Sequence, residues 1–95
     1  MNPVRDTEVM FYTYILKSEK NGIMYTGYTN DLRKRLRQHN QGKSYYTKRD
    51  KPYLLVYYEA CLNEDDARSR ELFLKSGMGK RYVKNRLKRF LSLTG

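Results

Sequence analysis

The sequence has one cysteine, one histidine and no apolar run long enough to cross a bilayer. A lone thiol, Cys61, can form neither an intramolecular disulfide nor a cysteine zinc site, which fits a reducing compartment. Its neighbours Ala60 and Leu62 are apolar, so Cys61 reads as a packed strand end rather than a nucleophile. A single histidine leaves no convincing His/Cys metal cage and no Cys-His pair with a third orienting residue. Gly77-Met78-Gly79 lacks the lysine and the serine or threonine of a phosphate-binding loop, and no strand leads into it. The N-terminus has no apolar signal core or cleavage site, so a soluble, cytoplasmic protein is expected. Repeats, low-complexity tracts and linkers are missing as well. The 95 residues suffice for one modest core, and the expected division is a flexible start over 1–9 and a single domain over 10–92, acting as a monomer.

Positive charge, by contrast, is abundant. Twenty Lys and Arg stand against ten Asp and Glu, a net charge of +10. Such a surplus implies a polyanionic partner. A solvated basic surface is the bland alternative, but the cations are grouped. Arg33, Lys34, Arg35, Arg37, Lys43, Lys48, Arg49 and Lys51 form one cluster and the stretch 80–89 another. Tyr45 and Tyr46 lie inside the first, where cations would neutralise phosphates while rings stack on exposed bases. DNA, or RNA, is therefore the expected partner. A membrane surface is disfavoured, because the last helix keeps no large apolar face once its stripe is buried.

The local patterns lay out an α/β (α+β) fold, a three-stranded mainly antiparallel sheet flanked by helices. Phe11 to Lys17 is aromatic and β-branched, a polar turn through Asn21-Gly22 interrupts it, and Ile23 to Tyr28 resumes it, which reads as a hairpin. Tyr14 and Tyr25 then come from neighbouring strands, and their phenols are expected to converge on one face. A helix follows, capped by Asn30 with Asp31 in its first turn, ending near 40–42. Its stripe is Leu32, Leu36 and His39, with Arg33, Lys34 and Arg37 turned away and Arg35 on the flank. The near-continuous apolar run from Tyr53 to Ala60 predicts a strand buried on much of both faces, partnering the central strand. Asn63 caps a second helix with an acidic first turn. On it Ala67, Glu71 and Leu74 share a face, an odd position for a carboxylate; the structural explanation is an ion pair to Arg68, Arg70 or Lys75. Gly77 to Gly79 end that helix, and a last helix over about 80–91 buries Val83, Leu87, Phe90 and Leu91. Most of the ten tyrosines must be structural, Tyr53, Tyr57, Tyr58 and Tyr82 among them.

Tyr12-Thr13-Tyr14, Tyr25-Thr26-Gly27, the basic helix through Arg35 and His39, and Arg70-Glu71-Leu72-Phe73-Leu74-Lys75 together resemble the GIY-YIG nuclease domain over roughly residues 10 to 80. The likeness is to its small stand-alone bacterial members and to the N-terminal nuclease domain of the excision-repair incision subunit. The first motif differs from the family name at Tyr12 and Thr13, and Tyr28 stands where relatives in DNA repair often have lysine. The resemblance implies a metal-dependent DNA endonuclease, in DNA repair or processing, with Tyr14, Tyr25, Arg35 and His39 as catalytic residues. It places Gly27 at the end of the second strand and puts Mg²⁺ or Mn²⁺ on Glu71. Asn85 lies about as far beyond Glu71 as a functional asparagine of relatives. Arg33, Lys34, Arg37, Lys43, Lys48 and Arg49 would hold nucleic acid. In the chemistry expected, one tyrosine, Tyr14 or else Tyr25, orients or deprotonates water with the other as its hydrogen-bond partner at the phosphate, and nearby positive charge from Arg35 or the metal lowers the phenol pKa from ~10. Residue chemistry alone leaves His39 open between a packed, hydrogen-bonded histidine and a proton shuttle. The alternative to an enzyme is a non-catalytic nucleic-acid-binding module of the same fold.

Overall fold

The computed structural model describes residues 9–94, with the side chain of Thr94 excepted; most of the expected flexible start therefore lies outside the described residues. Three strands, β1 (Phe11–Ser18), β2 (Met24–Thr29) and β3 (Tyr53–Cys61), form a sheet of order β2-β1-β3 with both pairings antiparallel. Four α-helices flank it: α1 (Leu32–Asn40), α2 (Glu64–Lys75), α3 (Gly77–Arg86) and α4 (Lys88–Thr94). A single 3₁₀ turn, Lys48–Asp50, lies in the long connection from α1 to β3. Among the described residues no helix is long and apolar enough to cross a membrane.

The hairpin forms as its composition predicts. Its turn closes through the Ser18 N–H on the Ile23 carbonyl, and Gly22 supplies the positive φ of 77° that a side chain would resist. Because strand faces alternate, β1 feeds two cores. Ile15 packs with Leu74 and Val83 from α2 and α3, while Tyr14 and Leu16 pack with Tyr53 against Leu32 and Leu36 of α1. On the α2 side Thr13 Oγ1 donates to the Ala67 carbonyl at 2.8 Å, tying the small residue of α2 to the central strand.

Four local expectations are corrected. The cap of α1 is Asp31, not Asn30: β2 runs on through Thr29, and it is the Asp31 carboxylate that accepts from the Lys34 N–H. β3 does pair with the central strand, but it is an edge and is not buried on both faces. Tyr58 stays 52% and Leu54 43% exposed there, because tyrosine counts as apolar in a run yet keeps a wet hydroxyl. Gly77 to Gly79 follow the end of α2 but also open α3, with Ser76 capping both helices. Gly79 is needed because a Cβ there would strike the Phe73 carbonyl, so the α2–α3 corner closes backbone to backbone. The last helix is two: α3 stops at Leu87, which packs on the Ile15–Leu74–Val83 cluster, and α4 restarts at Lys88.

Candidate active site

Tyr14 is the centre of the site. It sits on the central strand opposite Gly27, and its ring lies across that glycine: a Cβ at Gly27 would come 2.5 Å from the Tyr14 hydroxyl. The missing side chain lets the buried phenol lie over β2. There it meets α1. The Tyr14 hydroxyl is 3.0 Å from His39 Nε2, and Arg35 Nε donates to it at 3.4 Å. The helix stripe explains both partners, since His39 is buried under α1 while Arg35 runs along its flank. Arg35 Nη1 donates to Gln38 Oε1 at 3.2 Å.

His39 is fixed from its other side by Thr47, whose Oγ1 lies 2.6 Å from Nδ1. Burial lowers the His39 pKa from 6.5 to about 4, and the Arg35 charge adds to the shift. At neutral pH the imidazole is uncharged. The Tyr14 pKa is raised, not lowered: burial outweighs the hydrogen bond and charge of Arg35, and the Glu71 charge adds to the rise. The expectation of a phenol pulled down by positive charge is therefore corrected for the residues as they stand.

Tyr25 shares the Tyr14 face of the sheet, packed edge-on against Tyr53 at 5.6 Å. Its hydroxyl, however, donates to the buried Asp50 carboxylate and not toward Tyr14. That bond pushes the Tyr25 pKa up to about 12, with burial as the lesser cause. Asp50 also accepts from Asn21 Nδ2 at 2.9 Å, and the Tyr25 bond is the main reason its own pKa is lowered. Neither Asp50 nor Thr47 was singled out from the sequence. Asp50 had a signal, as the one acid among the cations of 43–51; Thr47 had none.

Tyr14, Tyr25, Arg35, His39 and Glu71 line one cavity of about 770 Å³, which Thr47 and Gly27 also border. Glu71 is mostly buried on its α2 face and paired with Lys75, Nζ to Oε2 at 3.1 Å. Of the three ion-pair partners considered, Arg70 instead grips Glu59 through two bonds of 2.9 and 2.7 Å. Glu71 is the sole carboxylate lining the cavity, and no group of three His, Cys, Asp or Glu could hold an ion among the described residues. The donor set thus fits a hard cation carried by one carboxylate, waters and substrate oxygens, as Mg²⁺ is commonly bound, and does not fit an all-protein cage. Arg33, Lys34, Arg37, Lys43, Lys48 and Arg49 are all exposed, as a phosphate-contacting surface requires. Asn85 is exposed and does not border the cavity. Tyr28 does border it, with Arg68 over its ring at 5.4 Å.

A small antiparallel α/β domain that gathers tyrosine, arginine, histidine and glutamate around one cleft has the build of a nuclease-type domain. Comparison with known proteins agrees. The family model described as GIY-YIG catalytic domain matches residues 10–91. A UPF0213 protein of Clostridium perfringens is 46% identical over 67 residues, 70% of this chain and 71% of that one. A UPF0213 protein of Pediococcus pentosaceus is 38% identical over 85 residues, 88% of each chain. The solution NMR structure of a UPF0213 protein from Bacillus halodurans matches with a TM-score of 0.50 and 33% identity, covering 80% of this chain and 83% of that one. The chain belongs to the GIY-YIG family, among the small single-domain proteins of the UPF0213 group. Membership implies a nuclease-type function on nucleic acid; members are typically endonucleases and generally use divalent metal ions.

Proposed function

We propose that the chain is a divalent-metal-dependent DNA endonuclease that hydrolyses phosphodiester bonds in DNA repair or processing. The observation that carries this reading is the Tyr14 hydroxyl, held between Arg35 and the uncharged His39 in the lining of the cavity that Glu71 shares. His39 Nδ1–H donates to Thr47, Nε2 accepts from Tyr14, and the Tyr14 oxygen accepts from Arg35. A water against Tyr14 gives a proton to the phenol oxygen while the phenol proton moves to His39 Nε2. The water oxygen bonds to phosphorus and the bond to the 3′ oxygen breaks, that oxygen taking a proton from solvent. Negative charge building at phosphorus favours the imidazolium that this transfer creates and offsets the burial that opposes it. Arg35 keeps guanidinium N–H groups for a phosphate oxygen beyond those spent on Tyr14 and Gln38. Tyr25, its proton on Asp50, offers its oxygen lone pairs and so accepts a hydrogen bond from water rather than donating one to phosphate. A cation on Glu71 would supply Lewis-acid stabilisation of the phosphoryl charge.

One observation favours the second reading, a nucleic-acid-binding module without cleavage: Lys75 already neutralises Glu71. Incubating the purified chain with single-stranded, duplex, nicked and branched DNA, with and without Mg²⁺ or Mn²⁺, separates the two. The nuclease reading expects metal-dependent cleavage that Glu71→Ala abolishes while DNA affinity holds. Binding with no cleavage of any substrate replaces it by the second reading.

A further inference from the structure

The connection from α1 to β3 carries the two most exposed tyrosines among the described residues, Tyr45 at 76% and Tyr46 at 82%, yet its backbone is tightly held. The Ser44 carbonyl accepts from Thr47 N–H at 3.2 Å and Lys48 N–H at 2.9 Å. Thr47 is buried, bonded to His39 and accepting the Tyr53 hydroxyl on its carbonyl at 2.5 Å. Tyr45 and Tyr46 are thus the middle of an anchored turn, pushed outward by the residue that positions the site histidine. Their rings stand 5.4 Å apart at 89°, Lys48 Nζ lies 5.2 Å from the Tyr45 centroid, and Tyr46 borders the same cavity as Tyr14 and Arg35.

The charge around them is one-sided. Lys43, Lys48, Arg49 and Lys51 are exposed, while Asp50 is turned inward onto Tyr25 and Asn21. Outward-facing cations beside open aromatic faces are what a flexible polyanion with stackable bases requires. A paired base in a duplex has both faces covered by its neighbours. Away from a duplex end, only an unpaired base can lie on a protein ring.

We propose that Tyr46, supported by Tyr45, is a stacking platform for one unpaired base beside the scissile phosphate, so that the substrate class is nucleic acid with an unpaired nucleotide at the cleavage point. The location of that phosphate rests on the nuclease reading, but the binding of the base does not.

The test is fluorescence anisotropy with the full chain and no divalent cation, using a labelled single strand, the same sequence as a blunt duplex, and a duplex with one bulged nucleotide. The single strand and the bulge should bind more tightly than the blunt duplex. Tyr46→Ala should weaken the first two by roughly five- to a hundred-fold and the blunt duplex by under about twofold, with Tyr46→Trp restoring the loss. Lys48→Ala should weaken all three alike and flatten the salt dependence by about one counterion. The platform is overturned if Tyr46→Ala affects all three DNAs equally or not at all, or if Tyr46→Trp fails to restore binding. Adding Mg²⁺ to the same mixtures reads the other proposal separately. Discrimination without cleavage keeps the platform and removes the nuclease; cleavage without discrimination does the reverse.

Discussion

The two faces of the sheet share the same central strand but are built from different chemistry. Toward α2 and α3, Ile15, Leu74 and Val83 meet as an apolar cluster. Toward α1, two of the three buried members of the cluster are tyrosines, and His39, Thr47 and Asp50 are buried nearby, each with hydrogen-bond partners. Among the described residues no buried side-chain nitrogen or oxygen lacks a partner. Apolar contacts constrain shape without fixing the direction of any single atom pair, whereas a hydroxyl caught between a ring nitrogen and a guanidinium has one direction. The α1 face aims an oxygen, while the other face stabilises the fold through its apolar cluster and contributes Glu71 to the cavity from α2.

The contrast breaks first at Tyr14. Tyr14→Phe keeps the ring and removes one oxygen, so single-turnover cleavage should fall by ~10²-fold or more, while the chain stays folded with a measurably lower melting temperature because His39 Nε2 loses its buried partner. Gly27→Ala should match it by a different route, since the new methyl occupies the place of the phenol end. Cleavage by both variants within a factor of about two of wild type, far below that scale, would end the proposed role of the phenol.

Acid should expose the second difference. The folded pKa of His39, near 4, lies below the unfolded 6.5, so the unfolded chain binds the extra proton; the contribution is complete above about pH 6.5 and is lost as pH falls through about 4. At 1.36 kcal/mol per pKa unit it reaches at most about 3 kcal/mol. Asp50 and Glu59 have lowered pKa values and act in the same direction at lower pH. The measurement is therefore the difference in denaturant stability between wild type and His39→Gln across pH 7 to 4. Parallel curves would contradict a buried neutral imidazole.

On the opposite face, Leu87→Ala should cost about 2 kcal/mol, the low end of the leucine-to-alanine range for a half-buried site, and leave the cleavage rate per folded molecule unchanged. A rate loss there would blur the division between faces. The smallest effect expected is that of Asp50→Asn, which frees the Tyr25 proton without removing the ring. Cleavage should fall on the order of tenfold, below the ~10²-fold scale of Tyr14→Phe, and the alkaline limb of its pH profile should move to lower pH as the Tyr25 pKa relaxes from about 12. An unmoved alkaline limb would detach Asp50 from the reaction.

How much could be read beforehand follows from the range of the interactions. The hairpin, the α1 stripe and the Asn63 cap rest on patterns within a few residues of each other, and each is present. The meeting of Tyr14 with Arg35 spans 21 residues, and it was legible from the place of Arg35 on the flank of the α1 stripe together with the family resemblance. Tyr25 with Asp50, 25 residues apart, follows no periodicity, because an irregular connection places its residues by tertiary bonds alone. The exposure of β3 was hidden for another reason. Its run of tyrosine, leucine and valine gives the same hydrophobic pattern whether one neighbour or two lie alongside, and a three-stranded sheet has only one interior strand.

The anchored connection also ties function to motion. Asn40 clasps the backbone of Tyr53 from the end of α1, its Oδ1 accepting at 2.6 Å and its Nδ2 donating at 3.2 Å, while Thr47 holds His39 from the middle of the same stretch. The segment between is also tied to the strands and their hairpin, through the Tyr53 hydroxyl on the Thr47 carbonyl and through Ser18, Asn21 and Tyr25 on Asp50, yet these are side-chain bonds, so a local opening that leaves every strand paired would still release the histidine from one side. Native-state hydrogen exchange at the Thr47 amide then measures how often the imidazole is unheld, and the equilibrium between the closed and open forms of that turn sets the fraction of molecules with an assembled site at any instant.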